Sequence, residues 1–169
     1  MQNQFSIQVD VVIRHATPED LRGLEWFGLL TPFRETIERA YDRAQKGEII
    51  FLVATFNDFP IGQVWVDVTK LAEDGVGIIW ALRVMEPFQN FGIGTRLIQA
   101  AEQAIVERDL HTAEIGVSFT NLKAKRLYER LGYQVVRDHI ERWSYTSPEG
   151  ETQQMQEREW VLRKALESR

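Results

Sequence analysis

The stretch Gln89-Asn90-Phe91-Gly92-Ile93-Gly94 lies between an apolar run and a helical pattern, and it decides the fold. Residues 76–84 before it are dense in β-branched and apolar side chains, which predicts a buried strand. After it, apolar residues recur every three or four positions, which predicts a helix over 93–108. A glycine-bearing turn between a strand and a helix leaves backbone N–H groups unpaired at the positive end of the helix dipole. The sequence therefore predicts an anion site, and its expected ligand is a phosphorylated cofactor.

The spacing of the glycines excludes two common phosphate-binding motifs. A dinucleotide fingerprint needs a third glycine at position 97, where this chain has leucine. A nucleotide-triphosphatase loop needs Lys followed by Ser or Thr after its last glycine, whereas Gly94 is followed by Thr95 and Arg96. The pattern that the chain does contain is Gln-x-x-Gly-x-Gly.

Two further segments carry clear local signals. Residues 121–133, Asn-Leu-Lys-Ala-Lys-Arg-Leu-Tyr-Glu-Arg-Leu-Gly-Tyr, predict a short helix that Asn121 caps and that Gly132 ends in a left-handed conformation. Residues 13–21 predict the end of a strand and the start of a helix, with Thr17 as the N-cap and Pro18 as the first helical residue. Together with the loop at 89–94, these segments resemble three ordered signatures of the Gcn5-related N-acetyltransferases (the GNAT family).

The resemblance and the periodicities predict an α/β chain of the α+β type, the acyl-CoA N-acyltransferase fold. We expect a single domain over 1–169 with a mixed, mostly antiparallel sheet of about six to seven strands flanked by about four helices. Residues 152–163 contain good helix formers, and only the hairpin turn before them and the family pattern favour a strand, so this segment stays open. The strands are expected near 6–14, 49–56, 61–69, 76–84, 113–117, 133–145 and 152–163, and the helices near 18–28, 32–45, 93–108 and 121–131.

Composition narrows the function classes. The chain has no cysteine, so it offers neither a thiolate nucleophile nor a cysteine metal site, and no metal is expected. The net charge of −5 and the lack of a marked basic cluster argue against a nucleic-acid partner. No segment approaches the roughly 18 apolar residues of a membrane span, and the N-terminus lacks a signal pattern. The expected location is the cytoplasm.

The resemblance implies acetyl-coenzyme A as the cosubstrate and assigns its binding residues. Backbone amides around Leu82, Arg83 and Val84 are expected to take the pantetheine arm, where the strand splays from its neighbour near a bulge. Asn121 is expected to hydrogen-bond the pantetheine, to cap its helix, or to do both. The pyrophosphate is expected on the loop and the first helical turn, that is, on Gln89, Asn90, Phe91, Gly92, Ile93, Gly94 and Thr95.

The same resemblance implies an N-acetyltransferase that moves the acetyl group to a primary amine of a small molecule or peptide by direct attack in a ternary complex. Tyr128 is the expected acid for the departing thiolate, because a phenol stays protonated at neutral pH. Many relatives carry a glutamate base on the strand before the loop, but residues 77–82 contain no carboxylate. The base stays open between a water chain and the side chains of Asp67, Glu25, Glu73 and His15.

The acceptor half of the site has no sequence signature. The acidic balance of the chain favours a cationic acceptor, either a small molecule or a peptide. The exposed edge of the late hairpin makes a homodimer possible. Because the strand glutamate is missing, a second function stays open, namely a non-catalytic acyl-coenzyme-A-binding sensor or interaction module.

Overall fold

The computed structural model describes residues 4–167, and within them a seven-stranded sheet is flanked by four α-helices. The longest helix has 14 residues, and no helix in this part of the chain combines the length and the apolar character needed to cross a bilayer. The strands are β1 Val12–His15, β2 Ile49–Phe56, β3 Phe59–Leu71, β4 Val76–Val84, β5 Thr112–Ser118, β6 Gln134–Thr146 and β7 Thr152–Ala165. The helices are α1 Pro18–Gly23, α2 Arg34–Gln45, α3 Ile93–Val106 and α4 Leu122–Arg130.

The strand order of the sheet is β1-β2-β3-β4-β5-β7-β6. Neighbouring strands are antiparallel except β4 and β5, which are parallel and are joined by the crossover through α3. The predicted fold class, a mixed and mostly antiparallel sheet with helices, is therefore confirmed. The open segment 152–163 is a strand, because β7 pairs with β5 on one side and with β6 on the other.

The helices cover both faces of the sheet, and each face has its own apolar core. Side chains alternate between the faces along each strand, so Leu52 of β2 packs in one core and its neighbours Phe51 and Val53 pack in the other. The α3/α4 face is formed by a cluster that includes Leu97, Ile98, Ala101, Ile115, Tyr128 and Leu162. The α1/α2 face is formed by a cluster that includes Leu24, Trp26, Ile37, Ala40, Phe51 and Trp65.

The first strand and the first helix are shorter than predicted. A strand over 6–14 is wrong, because β1 begins at Val12, which pairs with Thr55 almost at the end of β2 and leaves earlier residues no partner strand. A helix over 18–28 is also wrong, because Trp26 and Phe27 have φ angles of 45° and 57°. The indole of Trp26 turns into the core there, and its Nε1 donates a hydrogen bond to the carbonyl of Pro60 at 2.8 Å.

Candidate active site

The two parallel strands at the centre of the sheet separate halfway along their length. Their pairing ends at Ile79 and Ile115, although β4 continues to Val84 and β5 to Ser118. A one-residue bulge lies in β4 just beyond the last pair, where Ala81 has a φ of 52°. A bulge bends its strand, so β4 turns away from β5 and leaves an opening between them. This opening, called the β4–β5 cleft below, is the splay that was expected near Leu82, Arg83 and Val84.

The loop 89–94 places the first turn of α3 beside the end of β4. Gly92 caps the helix with a φ of 81°, a left-handed conformation that favours glycine. The first helical hydrogen bond runs from the amide of Arg96 to the carbonyl of Gly92 at 3.1 Å. The amides of residues 93–95 therefore have no partner within the helix, and free amides of this kind at a helix N-terminus can bind an anion.

Side chains of the loop hold it to its neighbours. The side-chain amide of Gln89 donates to the carbonyl of Val84 at 2.9 Å, so one of its two N–H donors is used by the fold and not by a ligand. The Oδ1 atom of Asn90 accepts a hydrogen bond from the Nζ atom of Lys123 at 3.3 Å, which ties the loop to α4. Phe91, by contrast, is 78% exposed.

Helix α4 begins at its exposed N-cap, Asn121, and carries Tyr128 into the α3/α4 core. The side chain of Asn121 accepts a hydrogen bond from the amide of Ala124 at 3.1 Å, as expected of an N-cap. The ring of Tyr128 is buried in the core cluster, and its hydroxyl has no hydrogen-bond partner among residues 4–167. Burial, and to a smaller extent the nearby carboxylate of Glu159, raise the pKa of Tyr128 to about 12.

Glu159 is a candidate site residue that sequence reasoning missed. It lies on β7, paired with Ser118 on one side and His139 on the other. Gly116 is the first residue of β5 beyond the paired segment, and a Cβ atom there would lie 2.6 Å from Oε2 of Glu159. The carboxylate thus occupies the space that a side chain at Gly116 would take, at the point where the β4–β5 cleft opens.

Tyr128 and Glu159 lie on opposite faces of the sheet, close enough that the carboxylate of Glu159 helps to raise the pKa of Tyr128. Residues 115 and 162 pack in the α3/α4 core, so the alternation of side chains directs Gly116 and Glu159 to the α1/α2 face. Tyr128 belongs to the α3/α4 core. A molecule within the cleft would therefore meet a phenol on one face and a carboxylate on the other.

The surroundings of Glu159 make it a stronger base than an ordinary glutamate. Burial raises the pKa of its carboxyl group, and Glu141 and Glu157 raise it further, while His139 lowers it. The ring of His139 is already engaged by Glu141, with Nε2 and Oε2 2.9 Å apart. A signal for this residue exists in the sequence, because Glu157 and Glu159 share one face of a strand. Two residues so spaced do not share a face of a helix. The sequence therefore points to Glu159 only if residues 152–163 form a strand, and it does not decide between a strand and a helix there.

None of the four carboxylate or imidazole side chains proposed as bases lies at the cleft. Glu25 accepts two hydrogen bonds from an arginine of α2, which lower the pKa of its carboxyl group. Asp67 accepts from another arginine of α2 at 2.8 Å and from the backbone amides of residues 69 and 70. Glu73 lies exposed in the turn before β4, and His15 lies exposed on edge strand β1.

Comparison with known proteins agrees with this geometry. The sequence model described as "Acetyltransferase (GNAT) family" matches residues 19–133, which is more than half of the chain. The chain belongs to the GNAT family. Membership of this family makes the protein an acetyltransferase. The three sequence signatures, at 13–21, 89–94 and 121–133, all overlap the matched segment. A search of the curated proteins finds no match to this GNAT sequence.

Solved structures of other acetyltransferases share the fold of this GNAT chain. The ribosomal-protein-S18-alanine N-acetyltransferase of Escherichia coli is 18% identical, with a TM-score of 0.69 and 93% of this chain and 94% of that chain covered. NAA60 of Arabidopsis thaliana, in complex with a bisubstrate analogue, is 18% identical, with a TM-score of 0.71 and coverages of 95% and 100%. The yncA protein of Salmonella typhimurium, with acetyl-CoA, is 14% identical, with a TM-score of 0.72 and coverages of 95% and 96%.

The raised pKa of Glu159 predicts how stability depends on pH. Glu159→Gln is expected to raise the midpoint of thermal unfolding at neutral pH by about 2 °C and to change it little near pH 4. Below the unfolded-state pKa the carboxyl group is protonated in both states. As the pH rises through the higher folded-state pKa, the free energy of unfolding of the wild-type protein falls. The variant does not lose this stability, because glutamine does not ionise. Thermal scans across this pH range test the effect. Glu149→Gln, in an exposed turn, is the control with the same charge change, and an equal rise in both variants would contradict the prediction.

Proposed function

We propose that the protein transfers the acetyl group of acetyl-coenzyme A to a primary amine of a small molecule or peptide by direct attack in a ternary complex. The observation that carries this proposal is the pair of groups at the β4–β5 cleft, Tyr128 on one face and Glu159 on the other. Acetyl transfer from a thioester to an amine needs one group that accepts a proton and one that donates a proton. A module that only binds its ligand has no need of such a pair.

The proposed cofactor-binding part of the site, called the cradle below, consists mainly of backbone groups. Acetyl-coenzyme A supplies the acetyl group as a thioester, and the anionic part of the molecule fits the free amides of residues 93–95. The backbone of residues 82–84, which lies beyond the last β4–β5 pair, is proposed to take the pantetheine arm and to polarise the thioester carbonyl. Further contacts are proposed from Gln89, Asn90, Phe91, Gly92, Thr95 and Asn121. Among the similar structures, those of NAA60 and yncA also exist with acetyl-CoA.

Tyr128 is proposed as the acid. Its pKa of about 12 keeps the hydroxyl protonated at neutral pH, and no group within residues 4–167 accepts a hydrogen bond from it and so competes for its proton. When the carbon–sulfur bond breaks, the hydroxyl donates its proton to the departing sulfur. Burial of the ring also holds the hydroxyl in place before the reaction.

Glu159 is proposed as the base. An amine arrives largely as an ammonium ion at neutral pH, and the cluster of acidic side chains around Glu159 favours that charge. The carboxylate first takes one proton from the ammonium group, which frees the lone pair of the nitrogen to attack the thioester carbon. After the nitrogen–carbon bond has formed, the nitrogen loses a second proton, which makes up for the proton that Tyr128 gives to the sulfur. The raised pKa of the carboxyl group makes this transfer more favourable than it would be for an exposed glutamate.

Thermal unfolding with and without acetyl-coenzyme A tests the cradle. At 100-fold excess over its dissociation constant a ligand that binds only the folded state adds about 2.7 kcal/mol, which corresponds to a rise of roughly 5–10 °C for a chain of this size. Gly94→Ala is the matched variant, because the nearest atom to an added Cβ is Cγ2 of Val84 at 3.9 Å. The fold accepts this methyl group, but the methyl group projects where the ligand would approach the backbone, so the rise is expected to shrink. No rise in the wild-type protein would refute the cradle.

A panel of primary amines then tests the transfer itself, with release of free coenzyme A thiol as the readout. Amine-dependent thiol release together with an acetylated product of the expected mass would support the proposed function. A clear thermal rise with acetyl-coenzyme A, but no thiol release with any amine, would instead support the sensor or interaction module.

A further inference from the structure

The side chain of Arg83 lies on the face of the sheet where the acceptor amine is proposed to bind. Its neighbours on β4, Leu82 and Val84, pack against the α3/α4 core, and Arg83 points to the other face. There its guanidinium carbon lies 4.9 Å from the ring centroid of Phe33. The ring of Phe33 in turn contacts that of Tyr145 on β6, with centroids 5.9 Å apart.

The guanidinium of Arg83 is half-buried without an anionic partner. Arginines 14, 34, 43, 137, 158 and 163 form ion pairs with carboxylates, whereas within residues 4–167 Arg83 has neither an ion pair nor a side-chain hydrogen bond. Burial lowers the pKa of its guanidinium, and no nearby carboxylate offsets that effect. An aromatic face attracts the positive charge but accepts none of the five N–H donors in the usual way. These donors therefore stay available to a ligand.

Arg83 and Glu159 lie on the same face of the sheet but on opposite sides of the cleft. Arg83 projects from β4 beyond the bulge, and the carboxylate of Glu159 lies over Gly116 of β5. An acceptor that places its amine beside Glu159 can therefore extend across the opening toward the guanidinium. The two ends of such a molecule would meet opposite charges.

We infer that Arg83 binds a carboxylate of the acceptor, so that the acceptor is an amine that also carries a carboxylate. The inference rests on the proposed function, because it assumes that the amine lies beside Glu159. A planar guanidinium binds a carboxylate with two parallel hydrogen bonds, which neither a ring face nor water reproduces. The ammonium end agrees with the cationic acceptor expected from the sequence, and the carboxylate is the new element. Its source is either a free amino acid or an acidic residue near the N-terminus of a peptide.

Matched acceptors that differ only in the carboxylate test this inference. One arm compares free amino acids with their carboxamides, and the other compares short peptides that have Glu or Gln at the second position. In the wild-type protein kcat/KM is expected to be at least about tenfold higher for the acid in one of the two arms, and that arm identifies the source. Arg83→Gln is expected to reduce this preference to about one, and Arg83→Lys to restore part of it.

Two controls separate the possible failures. Arg130→Gln removes an exposed arginine at the end of α4 and is expected to keep the preference for the acid. Acetyl transfer with no acid preference in either arm, or a preference that survives in Arg83→Gln, would overturn the inference and leave the proposed function intact. No transfer to any acid or carboxamide, despite binding of acetyl-coenzyme A, would instead refute the proposed function and the inference with it.

Discussion

Glu159→Gln is expected to lower kcat by about 10²–10⁴-fold, the usual contribution of a positioned base. Glutamine has nearly the same shape and keeps a hydrogen-bonding oxygen beside Gly116, but it cannot take a proton from the amine. The wild-type pH profile of kcat/KM is expected to fall on the acid side at a pH above the ordinary glutamate range, because the folded-state pKa is raised. The pH profile of the residual activity of the variant is expected to lack this fall on the acid side.

Glu157→Gln is the matched control for this experiment. It removes the same charge two residues away on the same face of β7, where the carboxylate already accepts a hydrogen bond from Ser118. Its kcat is expected to change by less than about threefold. Equal losses in the two variants would reduce the role of Glu159 to a general electrostatic one. Because Glu159→Gln is also expected to raise the unfolding midpoint at neutral pH, a loss of activity cannot be attributed to unfolding.

Tyr128→Phe is expected to lower kcat by about 10²–10³-fold while the KM for acetyl-coenzyme A changes by less than about threefold. The substitution keeps the buried ring and removes only the hydroxyl. Because that hydroxyl makes no hydrogen bond to the part of the chain that the structure describes, the unfolding midpoint is expected to stay within about 2 °C of the wild-type value.

Tyr133 supplies the opposite control, because its hydroxyl donates to Oε1 of Glu102 at 2.8 Å. Tyr133→Phe removes a structural hydrogen bond and is expected to destabilise the fold by about 1 kcal/mol without a marked change in kcat. If Tyr128→Phe turned over at the wild-type rate, the acid role would be wrong and the phenol would serve only as packing. If both variants lost activity equally, disturbance of the core would be the simpler explanation.

The elements around the proposed cofactor site were predictable because their signals are local. The strand 76–84, the glycine turn and the apolar face of α3 follow one another in the chain, and each has its own periodicity or spacing. The N-cap role of Asn121 and the left-handed Gly132, with a φ of 95°, were likewise visible in one short segment. Such features need no knowledge of the strand order.

The acceptor half depends on contacts that the sequence does not order. Glu159 reaches the cleft only because β7 inserts between β5 and β6 in a register that pairs it with Ser118. A shift of one residue would bring Arg158 or Trp160 to that face instead. Similarly, Arg83 is notable only once its pairing partner is seen to be missing, and the positive φ angles of Trp26 and Phe27 have no sequence signature.

The insertion of β7 into the interior of the sheet also predicts when the proposed activity can begin. β5 and β6 are synthesised earlier, yet β7 lies between them, so neither can complete its pairing until the ribosome has made the chain as far as Ala165. Every family signature, by contrast, has been translated by Tyr133. A nascent chain would therefore hold the complete cofactor loop well before it holds the carboxylate of Glu159. We expect acetyl transfer only after this last strand has been made, which excludes acetylation of any amine while β7 is still untranslated.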